Sequence, residues 1–311
     1  MSRQAAFVFP GQLSESIGMG LDLLESDPAA GELFDLTSER CGRDLRRLIR
    51  DGPRASLGEN LAAQASVYLV STLASRALAR LGVEPAATAG YSLGNYAAMV
   101  AAGTISYEEA LDVLVAVWRE TERAAIRGAM GAVIGARREV VDAECAALRE
   151  RGLPVWIGNV NASTQFVLTG SVEGVAAALE ALRARALSVL PLSMSWPIHS
   201  ELMRPVARAI APLVAGLSTI RDPAVPYYGP EGRAVEGGEE VRRLLGTAFC
   251  HPTLWKDTFE AMTAAGHRLY LEVGPGDLLS KMARWIDRST RAIPAGTVSA
   301  IAAAVDIVAA G

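Results

Sequence analysis

The sequence predicts an α/β fold in which a smaller domain is inserted into a larger body. Short apolar runs at residues 5–9 and 86–90 read as buried strands, and each leads into a turn rich in glycine. Between them, residues 59–82 carry apolar side chains at helical spacing. Residues 127–195 then follow the order strand-helix-strand-strand-helix-strand, which is typical of a ferredoxin-like module. We therefore expect one domain from residues 1–126 and 196–311, interrupted by a second domain at 127–195.

The elements of the larger domain are predicted from their end signals. Pro10 and Gly11 end the first strand, and Gly103 ends a helix predicted over residues 93–102. Ser106 is the expected N-cap of a helix over residues 107–126. Near the end of the chain, residues 270–273 form a strand that runs into a Gly-Pro-Gly loop, and an alanine-rich helix follows.

Within the inserted domain, helices and strands alternate at short intervals, and Gly152 stops the first helix. The predicted elements are strand 129–136, helix 138–151, strands 155–161 and 165–168, helix 172–186 and strand 187–194.

Composition excludes several classes of protein. The chain has 311 residues, of which 50% are apolar and 21% charged, so it can bury a large core. A net charge of −4 argues against nucleic acid or an anionic membrane as the main partner. The three cysteines, Cys41, Cys145 and Cys250, lie far apart, which fits a reduced cytoplasm and no metal site. No nucleotide or flavin motif is present, so we expect no cofactor.

The motif Gly-Tyr-Ser-Leu-Gly at residues 90–94 lies between a predicted strand and a predicted helix. In that setting G-x-S-x-G is a nucleophile elbow, in which a strained turn lifts the serine hydroxyl above the sheet. The helix N-terminus behind the serine favours negative charge. Ser92 is therefore the candidate nucleophile.

A serine nucleophile needs a base, and the chain has only three histidines. His199 follows Pro197 at the exit from the inserted domain and is the first candidate for the base. His251 is the second candidate. His267 follows Gly266 near the start of a predicted strand, so we expect it to have a structural role. No Asp or Glu is clearly placed to orient the imidazole, which leaves a backbone or amide group for that role. The N–H groups of Gln12 and Leu93 are the expected oxyanion donors.

These motifs, taken in order, resemble those of malonyl-CoA:acyl-carrier-protein transacylases and of the acyltransferase domains of polyketide synthases. The resemblance rests on F-P-G-Q at 9–12, the elbow, A-A-G at 101–103, G-A-M at 128–130, N-x-N at 159–161, P-x-H-S-x-L-M at 197–203, Pro252 with Trp255, and E-V-G-P-G at 272–276. It implies an α/β-hydrolase-like large domain with an inserted ferredoxin-like domain. It also implies that Ser92 is the nucleophile, His199 the base, and Gln12 and Leu93 the oxyanion pair.

The departures from the family pattern concern the acyl group. Malonyl-transferring members carry an arginine twenty-five residues after the serine, where this chain has Val117. Arg119 lies about 200° further round the helix and should face elsewhere unless a helix bulge returns it. The free carboxylate of a malonyl group would then be buried without a positively charged partner. We expect an apolar acyl pocket lined by Tyr91, Val117, Trp118, Trp196 and Ile198.

Three other positions depart from the usual motifs. The second residue of the elbow, usually histidine, is Tyr91. A glycine of the loop after Gln12 is replaced by Leu13, and the usual glutamine before the Pro-x-x-Trp segment by Ala248.

The resemblance therefore implies a trans-acting acyltransferase that moves a non-dicarboxylic acyl group between acyl carrier proteins in polyketide biosynthesis. The acyl group is aminoacyl, dipeptidyl or fatty, as in the vicenistatin-type dipeptidyl transferases of macrolactam pathways. A malonyl-CoA:acyl-carrier-protein transacylase and a proofreading thioester hydrolase are the alternatives, and a non-catalytic scaffold is the least favoured.

The partners implied are a donor and an acceptor carrier protein, whose phosphopantetheine arm brings the thiol. Carrier proteins are acidic, so their docking surface should be basic. The candidates are Met203, Arg204, Arg208, Arg284, Arg288 and Arg291. We expect a cytoplasmic monomer.

Overall fold

The computed structural model describes residues 5–27 and 29–310, and it contains two β-sheets flanked by helices. The fold class predicted from the sequence is confirmed: a parallel α/β body is combined with a small antiparallel sheet. The exact domain boundaries, 1–126 with 196–311 and 127–195, stay a prediction; residues 1–4 and 311 lie outside the described residues.

The larger sheet has five parallel strands in the order β7-β2-β1-β8-β9. Its strands are β1 (Ala6–Phe9), β2 (Ala87–Gly90), β7 (Tyr227–Tyr228), β8 (Leu269–Glu272) and β9 (Arg291–Pro294). The two central strands are buried on both faces, as is usual for parallel sheets covered by helices.

Eight helices of this body come before the smaller sheet or directly after it. They are α1 (Leu21–Ser26), α2 (Ala30–Cys41), α3 (Leu45–Asp51), α4 (Arg54–Leu57), α5 (Asn60–Arg80), α6 (Gly94–Ala101), α7 (Tyr107–Arg123) and α10 (Arg204–Ala215). Four more follow: α11 (Gly238–Thr247), α12 (Trp255–Ala264), α13 (Leu278–Ile286) and α14 (Val298–Ala310).

The smaller sheet has four antiparallel strands in the order β4-β5-β3-β6. It is built from β3 (Ala129–Ile134), α8 (Arg138–Glu150), β4 (Val155–Ala162), β5 (Gln165–Gly170), α9 (Val172–Leu182) and β6 (Ser188–Pro191). This order is the split βαβ arrangement predicted for the insertion. The two helices bury their apolar stripes in a core of their own, which is separate from the core of the larger body.

Most predicted elements are present, with ends that differ by a few residues. The Ser106 hydroxyl caps α7 by accepting a hydrogen bond from Glu109 N at 3.2 Å. The terminal segment differs from the prediction, because Arg291–Pro294 forms edge strand β9 before the last helix begins. Pro294 is tolerated there because it ends an edge strand. Helices α1–α4 and α10–α12 have no counterpart among the predicted elements.

Within the described ranges, none of the helices combines the length and the apolar character needed to cross a membrane. In the same part of the chain, no three His, Cys, Asp or Glu side chains are grouped so as to hold a metal ion.

The turn after β2 is packed against the end of β1 at atomic contact. A methyl group on Gly94 would overlap the Phe9 carbonyl, and one on Gly90 would overlap the backbone at Asn95. Gly11, in the loop after β1, would bring a methyl group to 2.8 Å from the Tyr91 carbonyl oxygen. The loops that carry residues 10–13 and 91–93 are therefore held side by side.

The Gly94→Ala substitution should lower the free energy of unfolding by about 3 kcal/mol, because the added methyl group must push the start of α6 away from the end of β1. Gly31→Ala is the matched control, since its nearest neighbour would lie 3.8 Å away inside helix α2. That variant should be neutral or stabilising by up to about 1 kcal/mol. Urea unfolding of both proteins measures the difference, and equal stabilities would contradict the packing argument.

Candidate active site

Ser92 lies in the strained turn that its sequence motif predicts. Its φ is 53°, a left-handed conformation that costs a non-glycine residue roughly 1–2 kcal/mol. The turn is closed by a hydrogen bond from Gly94 N to Tyr91 O at 2.9 Å, and α6 begins immediately after Leu93. The hydroxyl is thus presented at the N-terminus of a helix, at the carboxyl end of strand β2.

The Ser92 hydroxyl and the His199 imidazole are in hydrogen-bond contact, with 2.7 Å between Oγ and Nε2. His199 also has a left-handed backbone, with φ of 67°, and its N–H donates to Phe249 O at 2.7 Å. The two residues are 107 positions apart, so the fold alone brings them together. This geometry is that of a nucleophile and its general base.

Backbone carbonyls, rather than a carboxylate, orient the imidazole. His199 Nδ1 lies 2.9 Å from His251 O and 3.4 Å from Ala248 O. Nδ1 therefore carries the proton, which leaves the Nε2 lone pair facing Ser92. His251 contributes only its carbonyl, because its own side chain is exposed. The third histidine, His267, packs its ring against Tyr228. His199 is consequently the histidine placed to act as the base.

Burial lowers the pKa of His199 from 6.5 to about 4, although the hydrogen bonds from Nδ1 to the two carbonyls act in the opposite direction. The side chain is only 5% exposed. Because the charged form is disfavoured, the imidazole stays neutral at pH 7 and is ready to accept the serine proton.

Two backbone N–H groups near Ser92 are free to bind an oxyanion. Among the described residues, neither Leu93 N nor Gln12 N has a hydrogen-bond acceptor within the protein. Leu93 directly follows the serine, and Gln12 follows Gly11, whose backbone packs against Tyr91 O. The Gln12 side chain is fixed separately, because it accepts from Gln64 Nε2 at 3.0 Å and donates to Asn60 Oδ1 at 3.1 Å.

Ser92 and His199 line a cavity of about 120 Å³ that is partly open to solvent. Its apolar wall comes from both sheets and their helices. The wall residues are Leu13, Tyr96, Met99, Leu114, Val117, Met130, Val167, Leu192, Met194, Ile198, Leu244, Leu245 and Phe249. The polar residues Gln64, Asn95 and Asn159 lie among them.

No Arg, Lys, Asp or Glu of the described chain lines this cavity. Val117 of α7 is buried in its wall, whereas Arg119, two residues later, is exposed. Helix α7 has no bulge that would turn Arg119 inward. The cavity therefore has no fixed positive charge with which to pair a substrate carboxylate.

Three of the five expected pocket residues line the cavity: Tyr91, Val117 and Ile198. Tyr91 also donates a hydrogen bond to Asn161 Oδ1 at 2.9 Å, and burial raises its pKa to about 12, so the phenol stays neutral.

The expectation for the two tryptophans is wrong. Trp118, one position along the helix from Val117, packs against the core of the larger body. Trp196 is fully buried, and its indole donates to Glu122 Oε1 at 3.1 Å, outside the cavity wall.

One of the expected carrier-protein contacts is also wrong. Met203 is fully buried in the core of the larger body and cannot touch a partner. Arg204 is exposed but paired with Glu201 at 2.8 Å. The remaining candidate arginines, Arg208, Arg284, Arg288 and Arg291, are exposed.

The prediction from sequence missed three polar residues of the cavity, Gln64, Asn95 and Asn159. Gln64 stands in an apolar, alanine-rich stretch of helix α5, and that isolated amide was the available signal. Asn159 belongs to the N-x-N motif, but the motif does not say which of its two asparagines faces the cavity. Asn159 lines it, and Asn161 receives the Tyr91 hydrogen bond.

A serine in an elbow between a parallel strand and a helix, in contact with a buried histidine, is the arrangement used by enzymes that transfer acyl groups through a serine ester. The chain belongs to the family described as "Acyl transferase domain", which matches residues 6–298, and it is an acyltransferase.

Named relatives resemble the chain over nearly its whole length. The malonyl CoA-acyl carrier protein transacylase of Escherichia coli strain K12 is 33% identical over 309 residues, which cover 98% of this chain and 99% of that protein. The crystal structure of malonyl-CoA:acyl carrier protein transacylase from Xanthomonas oryzae is similar with a TM-score of 0.91 and 34% identity, covering 98% of both chains. A malonyl-transacylase solved in complex with its type II polyketide synthase acyl-carrier protein has a TM-score of 0.92 and 30% identity, covering 98% of this chain and 99% of that one.

The rate of serine acylation should keep its value from about pH 8 to about pH 5 and fall to half near pH 4, because the base must be uncharged to accept a proton. The lowered pKa means that His199 protonates only below that point. Stopped-flow or quenched acylation at subsaturating thioester measures kcat/KM for this step. Tryptophan fluorescence at each pH verifies that the protein is folded. A midpoint near 6.5, the ordinary value, would contradict the burial argument.

Proposed function

We propose that this enzyme is a trans-acting acyltransferase that moves a non-dicarboxylic acyl group between acyl carrier proteins in polyketide biosynthesis, by way of an ester on Ser92. The observation that carries the proposal is the uncharged cavity around Ser92, with Val117 in its wall. A malonyl group would bury a free carboxylate there, and an unpaired buried charge costs several kcal/mol.

The site geometry suits a two-step transfer. Ser92 Oγ attacks the thioester carbonyl carbon while His199 Nε2 takes the hydroxyl proton. The Gln12 and Leu93 N–H groups bind the resulting oxyanion. As the carbon–sulfur bond breaks, His199 returns the proton to the leaving thiolate, so the first carrier protein departs as a thiol. The second step runs in reverse: the acceptor thiol gives its proton to His199, attacks the ester, and releases Ser92 with its hydroxyl restored.

A malonyl-CoA:acyl-carrier-protein transacylase is the second candidate, and the names of the relatives favour it over the first. On that alternative the malonyl carboxylate must be held by neutral groups alone. A proofreading thioester hydrolase would use the same ester but pass it to water, and it would turn over without an acceptor. The likeness to vicenistatin-type dipeptidyl transferases of macrolactam pathways stays a prediction.

The carrier-protein partnership is supported by the relative solved with its own acyl-carrier protein. On this chain, the end of helix α13 and the turn after it offer the most suitable exposed surface. Arg284 of α13 and Arg288 of the turn have no ion-pair partner among the described residues, and Trp285 between them is 77% exposed. Exposed arginine beside an exposed aromatic residue is typical of a protein-binding surface.

The proposed function is tested by intact-mass analysis of the purified enzyme after mixing with malonyl-CoA, and separately with neutral acyl thioesters of pantetheine. We expect a mass increase from neutral thioesters, little or none from malonyl-CoA, and none in Ser92→Ala. Efficient loading by malonyl-CoA alone would replace the proposal with its second candidate.

Val117→Arg should create malonyl loading, with an increase of at least about tenfold over the parent enzyme, because the guanidinium supplies the missing charge partner. Arg119→Ala is the matched control on the same helix and should leave loading unchanged, since Arg119 faces solvent. The rate of mass increase with malonyl-CoA measures both. The prediction is contradicted if the parent enzyme is acylated by malonyl-CoA and the Arg119→Ala variant is not. That result would place Arg119 in the active site.

Arg284→Glu should slow acyl transfer to a carrier protein by about tenfold while sparing self-acylation from a small thioester. Arg138→Glu, on helix α8 of the smaller sheet, is the control and should affect neither rate. Equal losses of both activities in Arg284→Glu would refute a docking role.

A further inference from the structure

The segment that carries His199 is fixed to the smaller sheet as well as to the larger body. Thr169, on strand β5, is fully buried, and its Oγ1 donates a hydrogen bond to Ile198 O at 2.7 Å. The described residues offer Ile198 O no other donor. Thr169 does not line the cavity around Ser92, so it acts on the reaction only through the segment that it holds.

The peptide group between Ile198 and His199 is held at both ends. Its carbonyl accepts from Thr169, and its N–H, which belongs to His199, donates to Phe249 O at 2.7 Å. The φ angle of His199 is the rotation about the bond that joins this peptide group to the Cα atom. Its value of 67° is one that a non-glycine residue keeps only where the surrounding structure holds it. The two hydrogen bonds therefore fix the backbone from which the imidazole projects.

Strand β4 of the smaller sheet packs against the same place. A methyl group on Gly158 would lie 2.8 Å from Thr169 Cγ2 and 3.4 Å from His199 Cβ, so both residues are close neighbours of this glycine. Ser92, in contrast, directly follows the turn at the end of strand β2 in the larger sheet. The nucleophile and its base are thus anchored to different sheets, and the 2.7 Å between Oγ and Nε2 depends on both anchors.

We propose that Thr169 is a positioning residue for the general base. Its hydroxyl keeps the peptide group before His199 oriented so that Nε2 faces Ser92 Oγ, and proton transfer requires that alignment. Without the hydroxyl, the Ile198 carbonyl loses its partner and the peptide group is free to rotate, so the imidazole spends less time in the productive orientation. The inference goes beyond the proposed function, because it concerns the base and holds for any acyl group that Ser92 carries.

The test measures acetylation of Ser92 by p-nitrophenyl acetate, a small activated ester that needs no particular acyl pocket. Intact-mass analysis follows the reaction, and Ser92→Ala supplies the background. Thr169→Val removes the hydroxyl and keeps the branched shape of the side chain. We expect the rate of acetylation to fall by roughly tenfold to a hundredfold. Thr169→Ser, which keeps a hydroxyl, should restore most of that rate.

Two further comparisons separate positioning from a general structural effect. Thr88→Val is the matched control, since Thr88 is also fully buried in a strand but its Oγ1 has no hydrogen-bond partner among the described residues. That variant should keep the parent rate. In a His199→Ala background, Thr169→Val should cause no further loss, because Thr169 acts through the imidazole alone. Urea unfolding of each variant verifies that the protein is folded.

A parent-like rate in Thr169→Val, or a loss that Thr169→Ser does not restore, overturns the inference. It is equally overturned if Thr169→Val slows the His199→Ala enzyme by the same factor as the parent enzyme. In each of these cases the proposed function stands. A His199→Ala enzyme as fast as the parent would contradict both the inference and the two-step mechanism of the proposed function.

Discussion

The close approach of the β2 turn to the end of β1 is the constraint on which the site depends. Gly90, Gly94 and Gly11 allow backbone to touch backbone where any side chain would overlap. That contact holds Ser92 in its left-handed conformation and sets the two N–H groups beside it. The reactive geometry therefore comes from packing in the larger sheet, and it exists before any substrate arrives, as preorganised catalysis requires.

Burial then determines the electrostatics of the site. It keeps His199 neutral, and two backbone carbonyls orient the ring without introducing a negative charge. The cavity beyond is likewise uncharged, since Val117 faces inward and Arg119 outward. A site of this kind suits neutral acyl groups, although the relatives that share its fold are named for malonyl transfer.

The sequence predicted those features that leave a fixed local pattern. The elbow is one, because only glycine fits on either side of the serine turn, and the alternation of strands and helices in the smaller sheet is another. Side-chain directions set by distant contacts could not be predicted. Trp196 faces Glu122, 74 positions away, rather than the cavity, and Met203 is buried in the core of the larger body. The groups that orient His199 are carbonyls, which any residue supplies, so they leave no signature at positions 248 and 251.

The most direct measurement is a crystal structure of the acyl-enzyme trapped on Ser92 with a slowly transferred neutral acyl group. The account predicts an ester carbonyl oxygen within hydrogen-bond distance of Gln12 N and Leu93 N, and an acyl chain that lies against Val117 with no guanidinium beside it. An arginine side chain reaching into the cavity, or an imidazole at 199 beyond contact with the ester, would contradict it.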